Sequence, residues 1–205
     1  APRNVGPPIQ AIRPSPIPEA TPTPEPPPPS SAPVARLVIP KIKVDAPVKT
    51  YGLDADLSMP APTSPTEVAW YDFSKIAAPY SGPPIYVPGD RSFFPGFGGN
   101  AVFAGHVDYH NYGPAVFWRL GELNQGDEID VRLEDGTNYR YLVVTVQTFS
   151  ADSAPVGDIT GRTDHEVITI ITCDSTSSFN PSTREYAGRV VVRADRMPDS
   201  SAVAR

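Results

Sequence analysis

Cysteine is almost absent: the 205 residues contain one, Cys173. A single thiol cannot form an internal disulfide, so no disulfide framework holds this chain together. Long apolar runs are missing as well. No stretch reaches the roughly 18 residues that a membrane-spanning helix needs. Basic charge is in deficit, with 17 Lys and Arg against 23 Asp and Glu, a net charge of −6 and no basic stripe. That balance argues against nucleic acid as a partner. Histidine is scarce too, limited to His106, His110 and His165. No internal repeat is visible.

Proline is what the chain has in excess. Of its 27 prolines, thirteen lie between Ala1 and Pro33. Runs such as Pro-Thr-Pro-Glu-Pro-Pro-Pro-Pro carry almost no apolar periodicity and read as an extended polyproline-type linker. The chain therefore divides into a Pro-rich linker or stalk over 1–35, one folded domain over 36–197 and a short tail over 198–205. A stalk at the very start, with no initiator Met or signal peptide, implies an upstream anchor or signal outside this chain. Scarce cysteine on such a stalk suits a bacterial surface enzyme better than a disulfide-rich secreted module.

From Arg36 the texture changes. Leu37 to Val44 is rich in β-branched residues and reads as a strand, with extended character continuing to Tyr51. Leu53 to Asp56 reads as a turn and Pro60 to Pro65 as a loop. Glu67 to Phe73 fits a helical turn or a short strand. Ala78 to Gly99 is a long Pro- and Gly-rich loop, a length often associated with function. Asn100 to Asp108 reads as a strand ending in a polar cluster. Pro114 to Leu123 has apolar spacing that predicts a short helix. Glu128 to Leu133 alternates strictly and leads through Asp135-Gly136 into Tyr139 to Val146, a hairpin signature. Val156 to Arg162 reads as a short helical or irregular connection. Glu166 to Cys173 is a near-continuous apolar run suited to a central strand, and Arg189 to Ala194 is the last strand. Seven or eight short strands with little helix predict an all-β domain closed, or nearly closed, into a barrel.

Cys173 ends its strand, where it is either an inert small hydrophobe or a nucleophile. A nucleophilic thiol near its usual pKa of about 8.5 needs a base or a cation to supply thiolate. His106 follows Gly105 at a strand end and is the candidate base, whereas His110 and His165 read as solvated surface residues. An acyl transfer also needs a donor for the tetrahedral oxyanion. Arg189 opens the strand after the cysteine. Arg193 shares a strand face with it, and Arg184 is a rival, so spacing alone leaves the arginine open.

These segments resemble the sortases, cysteine transpeptidases of bacterial surfaces. Thr169-Ile170-Ile171-Thr172-Cys173 resembles the family's Thr-Leu-X-Thr-Cys motif, with Ile in place of Leu. Ala104-Gly105-His106 resembles its small-Gly-His motif. Arg189-Val190-Val191-Val192 resembles the Arg and apolar triplet of the last strand. Ile39-Pro40-Lys41-Ile42 and Val44-Asp45-Ala46-Pro47 resemble the start of the catalytic domain. Gly105-His106-Val107-Asp108, followed by Gly113-Pro114-Ala115-Val116-Phe117, resembles class E and F members. Phe179, Asn180 and Tyr186 lean toward class F, where Arg184 competes with Arg189.

The resemblance implies an eight-stranded sortase-type β-barrel with short helices behind a Pro-rich extended tail. It implies Cys173 as nucleophile, His106 as acid and base, Arg189 at the oxyanion and Thr172 lining the substrate site. The implied reaction cleaves an LPXTG-like sorting signal between Thr and Gly through a thioacyl-enzyme. The implied partners are surface proteins bearing that signal and an amine of a peptidoglycan precursor. The implied location is the outer face of a Gram-positive cell membrane, held by an N-terminal transmembrane segment outside this chain. No cofactor is expected. Glu122, Asp127, Glu128 and Asp130 read as a solvated acidic face and not as a metal site. Ile17-Pro18-Glu19-Ala20-Thr21 in the linker has a faint likeness to a sorting signal, which suggests a tail acting as pseudo-substrate. Two rival readings are a cysteine endopeptidase with water as acceptor and a non-catalytic β-barrel surface module. The Ser-His-Gly-Cys run of L,D-transpeptidases is absent.

Overall fold

A computed structural model describes residues 28–83, 85 and 88–198. Most of the Pro-rich linker, including Ile17 to Thr21, and the end of the C-terminal tail lie outside the described residues. Twelve strands follow in order: β1 (Val34–Ile39), β2 (Val44–Leu53), β3 (Val68–Ile76), β4 (Asn100–Ala104), β5 (Asp108–Tyr109), β6 (Gly113–Pro114), β7 (Glu128–Leu133), β8 (Asn138–Ser150), β9 (Val167–Cys173), β10 (Phe179–Asn180), β11 (Glu185–Tyr186) and β12 (Gly188–Arg196). One short helix, α1 (Val156–Thr160), lies between β8 and β9.

Eight of these strands close into a barrel in the order β1-β2-β3-β4-β9-β12-β8-β7, as the sequence predicts. Closure leaves no barrel strand with unpaired backbone at an edge. β2 pairs with β3, and β4 with β9, in parallel; every other barrel pair is antiparallel. The parallel strands β4 and β9 are buried on both faces over most of their length, which explains their nearly unbroken apolar sequence. The interior is filled by Leu37, Ile39, Tyr71, Phe103, Ile129, Tyr141, Ile168, Ile170 and Val192, each nearly inaccessible to water. Phe117 and Leu120 join this core from the β6–β7 connection.

Local chemistry sets several boundaries differently from the sequence reading. The strand expected over Leu37 to Val44 breaks into β1 and β2 at a 3-10 turn, Pro40–Ile42. Pro40 opens that turn with its fixed φ, and Lys43 leaves it at φ 60°. Glu67 to Phe73 resolves as strand, because Val68 to Tyr71 pair in parallel with Val48 to Tyr51. The helix expected over Pro114 to Leu123 shrinks to a 3-10 turn, Leu120–Glu122. Its early backbone donors are engaged elsewhere: Val116 N–H reaches Pro65 O and Phe117 N–H reaches His106 O, both at 2.9 Å. The Asp135-Gly136 turn forms as expected, with Gly136 at φ +88°, a conformation that favours glycine. The end of the linker already contacts the barrel: Ser30 N–H donates to Tyr139 Oη at 3.0 Å and Ser30 Oγ to Asp135 Oδ2 at 2.6 Å.

β5 pairs only with β6, and β10 only with β11, as two-residue hairpins outside the barrel sheet. Both hairpins arise from connections at the end of the barrel where β9 stops, after β4 and after β9 respectively. No helix among the described residues is long and apolar enough to cross a membrane.

Candidate active site

Cys173 is the last residue of β9, and its two neighbouring strands bring the other candidates to it. On one side, Cys173 is the direct cross-strand partner of Arg189 on β12. On the other, β4 runs parallel to β9 with Ala104 opposite Ile171. Gly105 and His106 therefore leave β4 beside Thr172 and Cys173. Barrel register, not sequence proximity, assembles the three residues at one end of the sheet.

Side-chain alternation decides which face carries the chemistry. Thr169, Ile171 and Cys173 share one face of β9. Thr169 is closed off: its hydroxyl donates to Asn100 Oδ1 at 2.8 Å. Asn100 in turn donates to the Ile159 and Gly161 carbonyls at the end of α1, both at 3.0 Å. Arg193, opposite Thr169 in register, donates to the Asp158 and Ile159 carbonyls at 2.8 and 3.0 Å. Arg193 thus ties α1 to the barrel and is committed there. The far end of the same face, at Ile171 and Cys173, stays partly accessible.

Of the remaining arginines, Arg184 is exposed in the β10–β11 hairpin at φ 59°, away from the Cys173 register. Arg189 is half-buried, and its Nη1 donates to Tyr186 O at 2.6 Å and Gly188 O at 3.0 Å. Two carbonyls thus fix one end of the guanidinium, while Nε and Nη2 have no hydrogen-bond partner among the described residues.

Burial pushes the Cys173 thiol up from its ordinary range. Arg189 opposes this by favouring the thiolate, Asp108 and Glu185 add to the rise, and the Tyr186 backbone N–H favours the charged form. The net direction favours the thiol over the thiolate. Forming the nucleophile needs a proton acceptor.

His106 is half-buried and its Nε2 lies 2.7 Å from the Pro62 carbonyl. A carbonyl can only accept, so Nε2 carries hydrogen and the neutral ring keeps its lone pair on Nδ1. Tyr109 packs edge-on against the ring at 5.0 Å and donates its hydroxyl to Thr63 O at 3.2 Å. Gly105 lets the chain pass close to the core here, because a Cβ on it would lie 2.6 Å from the Phe117 ring. His110 is exposed. His165 is exposed between Asp164 and Asp195, and those two carboxylates raise its pKa.

Thr172 is buried, 4 % exposed, and donates to Gly105 O at 2.8 Å. Its hydroxyl secures the histidine-bearing turn, while the residue also lines a cavity of about 410 Å³ with Cys173, Val107, Phe117, Thr148 and Val190. Among the described residues no cluster of His, Cys, Asp or Glu could hold a metal ion. Glu122 pairs with Arg119, Asp130 with Arg140, and Asp127 accepts the Asn124 N–H.

Three neighbours of the site were not legible as such. Glu67 anchors the loop bearing Pro62 by accepting from Thr63 N–H at 2.9 Å. Asp108 and Tyr186 stand in recognisable segments, but their mutual hydrogen bond at 2.5 Å spans 78 positions and leaves no trace in spacing.

Comparison with known proteins agrees with this geometry. A family model described as Sortase domain matches residues 37–197, well over half of the chain. No curated protein matches it. Among solved structures, sortase C-1 from Actinomyces oris superposes with a TM-score of 0.53 at 20 % identity, covering 82 % of this chain and 77 % of that one. A lid mutant of sortase A from Corynebacterium diphtheriae gives 0.53 at 18 % identity, covering 85 % and 75 %. Sortase C1 from Streptococcus agalactiae gives 0.54 at 18 % identity, covering 83 % and 70 %. These structural likenesses extend to the fold, whereas the domain match spans Cys173, His106 and Arg189; the chain belongs to the sortase family of cysteine transpeptidases.

Proposed function

We propose that this protein is a surface transpeptidase that cleaves an LPXTG-like sorting signal between Thr and Gly and joins the new carboxyl end to a cell-wall amine. The observation that carries this reading is the direct pairing of Cys173 with Arg189, with His106 leaving the other adjacent strand beside them. Cys173 Sγ attacks the Thr carbonyl carbon, and its proton passes to His106. The free donors of Arg189 stabilise the oxyanion as charge develops on it. Collapse breaks the C–N bond, and His106 delivers the proton to the departing Gly nitrogen. In the second half, an acceptor amine attacks the thioester carbonyl and loses its proton to His106. Cys173 leaves as thiolate and regains a proton.

The acceptor that suits this chemistry is an amine of a peptidoglycan precursor, and the donors are surface proteins with a C-terminal sorting signal. The protein would work at the outer face of the membrane, anchored by an N-terminal segment outside this chain. The test incubates the protein with LPXTG and LAXTG peptides and an added amine, read by mass spectrometry. The expected product is the peptide cut after Thr and carrying the amine. Only hydrolysed peptide would identify an endopeptidase instead. Cleavage by Cys173→Ala equal to wild type would refute the thioacyl mechanism.

A further inference from the structure

Cys173 and Arg189 both meet the main chain of a third residue. Tyr186 lies on β11, three positions before Arg189. Its carbonyl accepts from Arg189 Nη1 at 2.6 Å. Its backbone N–H acts on the Cys173 thiol as a hydrogen-bond donor and favours the thiolate. One residue therefore addresses both the nucleophile and the cation through backbone atoms, which no choice of side chain at 186 supplies by itself.

What holds that backbone in place is the question. β11 has two residues and pairs only with the two of β10. A pairing this short has little stability of its own. The Phe179 ring packs on Tyr186 at 5.0 Å, but Phe179 is 48 % exposed and anchors nothing. Backbone bonds fix the next residue, with Ala187 N–H donating to Ser178 O and Ala151 N–H to Ala187 O, both at 2.8 Å, and the side-chain contact is the Tyr186 hydroxyl, which donates to Asp108 Oδ2 at 2.5 Å. Asp108 lies on β5, directly after the Gly105-His106 turn. Among the described residues this is the side-chain hydrogen bond that joins the two hairpins flanking the site.

We propose that Tyr186 is a positioning residue, clamped by Asp108 so that its carbonyl aims Arg189 and its N–H faces Cys173. The proposal rests on the reading of Cys173 as nucleophile and Arg189 as its cation. The hydrogen bond to Asp108, and then burial, push the Tyr186 hydroxyl up to about 12, so it remains a donor through the neutral range. The charges that act on the thiol are Arg189 from β12, Asp108 from β5 and Glu185 from β11, with His106 leaving β4 beside it. Asp174, next in the chain, is occupied by Thr176. Removing the clamp and removing the Asp108 charge therefore act on the thiol with opposite sign.

The test uses the full chain and two variants, Tyr186→Phe and Asp108→Asn, with two readouts: the pH midpoint of Cys173 alkylation by iodoacetamide and steady-state peptide kinetics. Tyr186→Phe removes the donor, loosens the N–H at the sulfur and leaves the Asp108 charge uncompensated. Its alkylation midpoint should rise by about one pH unit, and kcat should fall roughly tenfold with KM little changed. Asp108→Asn keeps an acceptor oxygen for the phenol but removes the negative charge, so its midpoint should fall. General unfolding would lower the midpoint in Tyr186→Phe, toward the about 8.5 of a free thiol, and so cannot mimic the expected result. An unchanged or lowered midpoint in Tyr186→Phe overturns the proposal, as does a raised one in Asp108→Asn. If Cys173→Ala retained turnover, the functional reading would fail while the alkylation midpoints still judged the clamp.

Discussion

Replacing Glu67 with Gln should remove a measurable part of the protein's acid sensitivity. Glu67 is 2 % exposed just before β3 and accepts hydrogen bonds from Tyr51 Oη at 2.6 Å, Thr63 N–H at 2.9 Å and Thr63 Oγ1 at 3.1 Å, besides pairing with Lys49. Burial pushes its carboxyl up, but the hydrogen bonds from Lys49, Tyr51 and Thr63 together outweigh that and bring it down to about 2. A fall from 4.5 to about 2 corresponds to roughly 3 kcal/mol of folding free energy. Lys49 is 60 % exposed, so water screens its share and reduces the contribution to about 2 kcal/mol. Because the folded pKa is depressed, this stability is complete above about pH 4.5 and is lost as pH falls through about 2. In urea melts across pH 2 to 7, Glu67→Gln should be about 2 kcal/mol less stable at pH 7, or about 4–8 °C lower in Tm. The two proteins should converge toward pH 2. The same substitution loosens Thr63 and with it the neighbouring Pro62 carbonyl that orients His106, so turnover should also fall. Stability curves that stay parallel across this range would refute the assignment of Glu67 as the buried anion.

Other consequences are equally specific. Arg189→Ala should lower kcat by about 10²–10³, the usual cost of one oxyanion donor, while Arg184→Ala should stay within about twofold; peptide kinetics showing the reverse order would move the cation to Arg184. Gly105→Ala drives a Cβ to 2.6 Å from the buried Phe117 ring and 2.8 Å from Val116 Cγ1. It should cost about 1–3 kcal/mol in thermal melts and depress turnover by displacing His106. Thr172→Val keeps the shape but leaves the Gly105 carbonyl without its hydroxyl partner. A loss of about 1–2 kcal/mol in urea unfolding is expected, and a neutral result would show that the carbonyl finds another donor.

Much of the barrel is legible in the chain because its signals are local. Strict alternation from Glu128 to Leu133 and the Asp135-Gly136 turn specify the β7–β8 hairpin within a few residues of themselves. The apolar run before Cys173 marks a strand buried on both faces, and β9 is one. Boundaries fail where a backbone donor leaves its own segment. The spacing of Val116, Phe117 and Leu120 suggests a helix, yet the Val116 and Phe117 amides bond to Pro65 and His106. At Pro40 one apparent strand becomes two, since a residue with fixed φ starts a turn instead of continuing the extended chain.

The sequence by itself determined the fold class and offered candidates for acyl-transfer chemistry: one thiol, one histidine after a glycine at a strand end, and a small set of arginines. Spacing could not choose among the arginines, and only the family resemblance favoured Arg189. Arg184, Arg189 and Arg193 lie within ten positions, and only strand register sets Arg189 opposite Cys173 while Arg193 is drawn to α1. Nor could it pair Tyr51 with Glu67 across 16 positions or Tyr186 with Asp108 across 78. Hydrophobic periodicity is written within each segment, whereas the meeting of polar side chains depends on how closed strands align. In this protein the sequence supplies the reactive groups, and the register of the barrel decides which of them face one another.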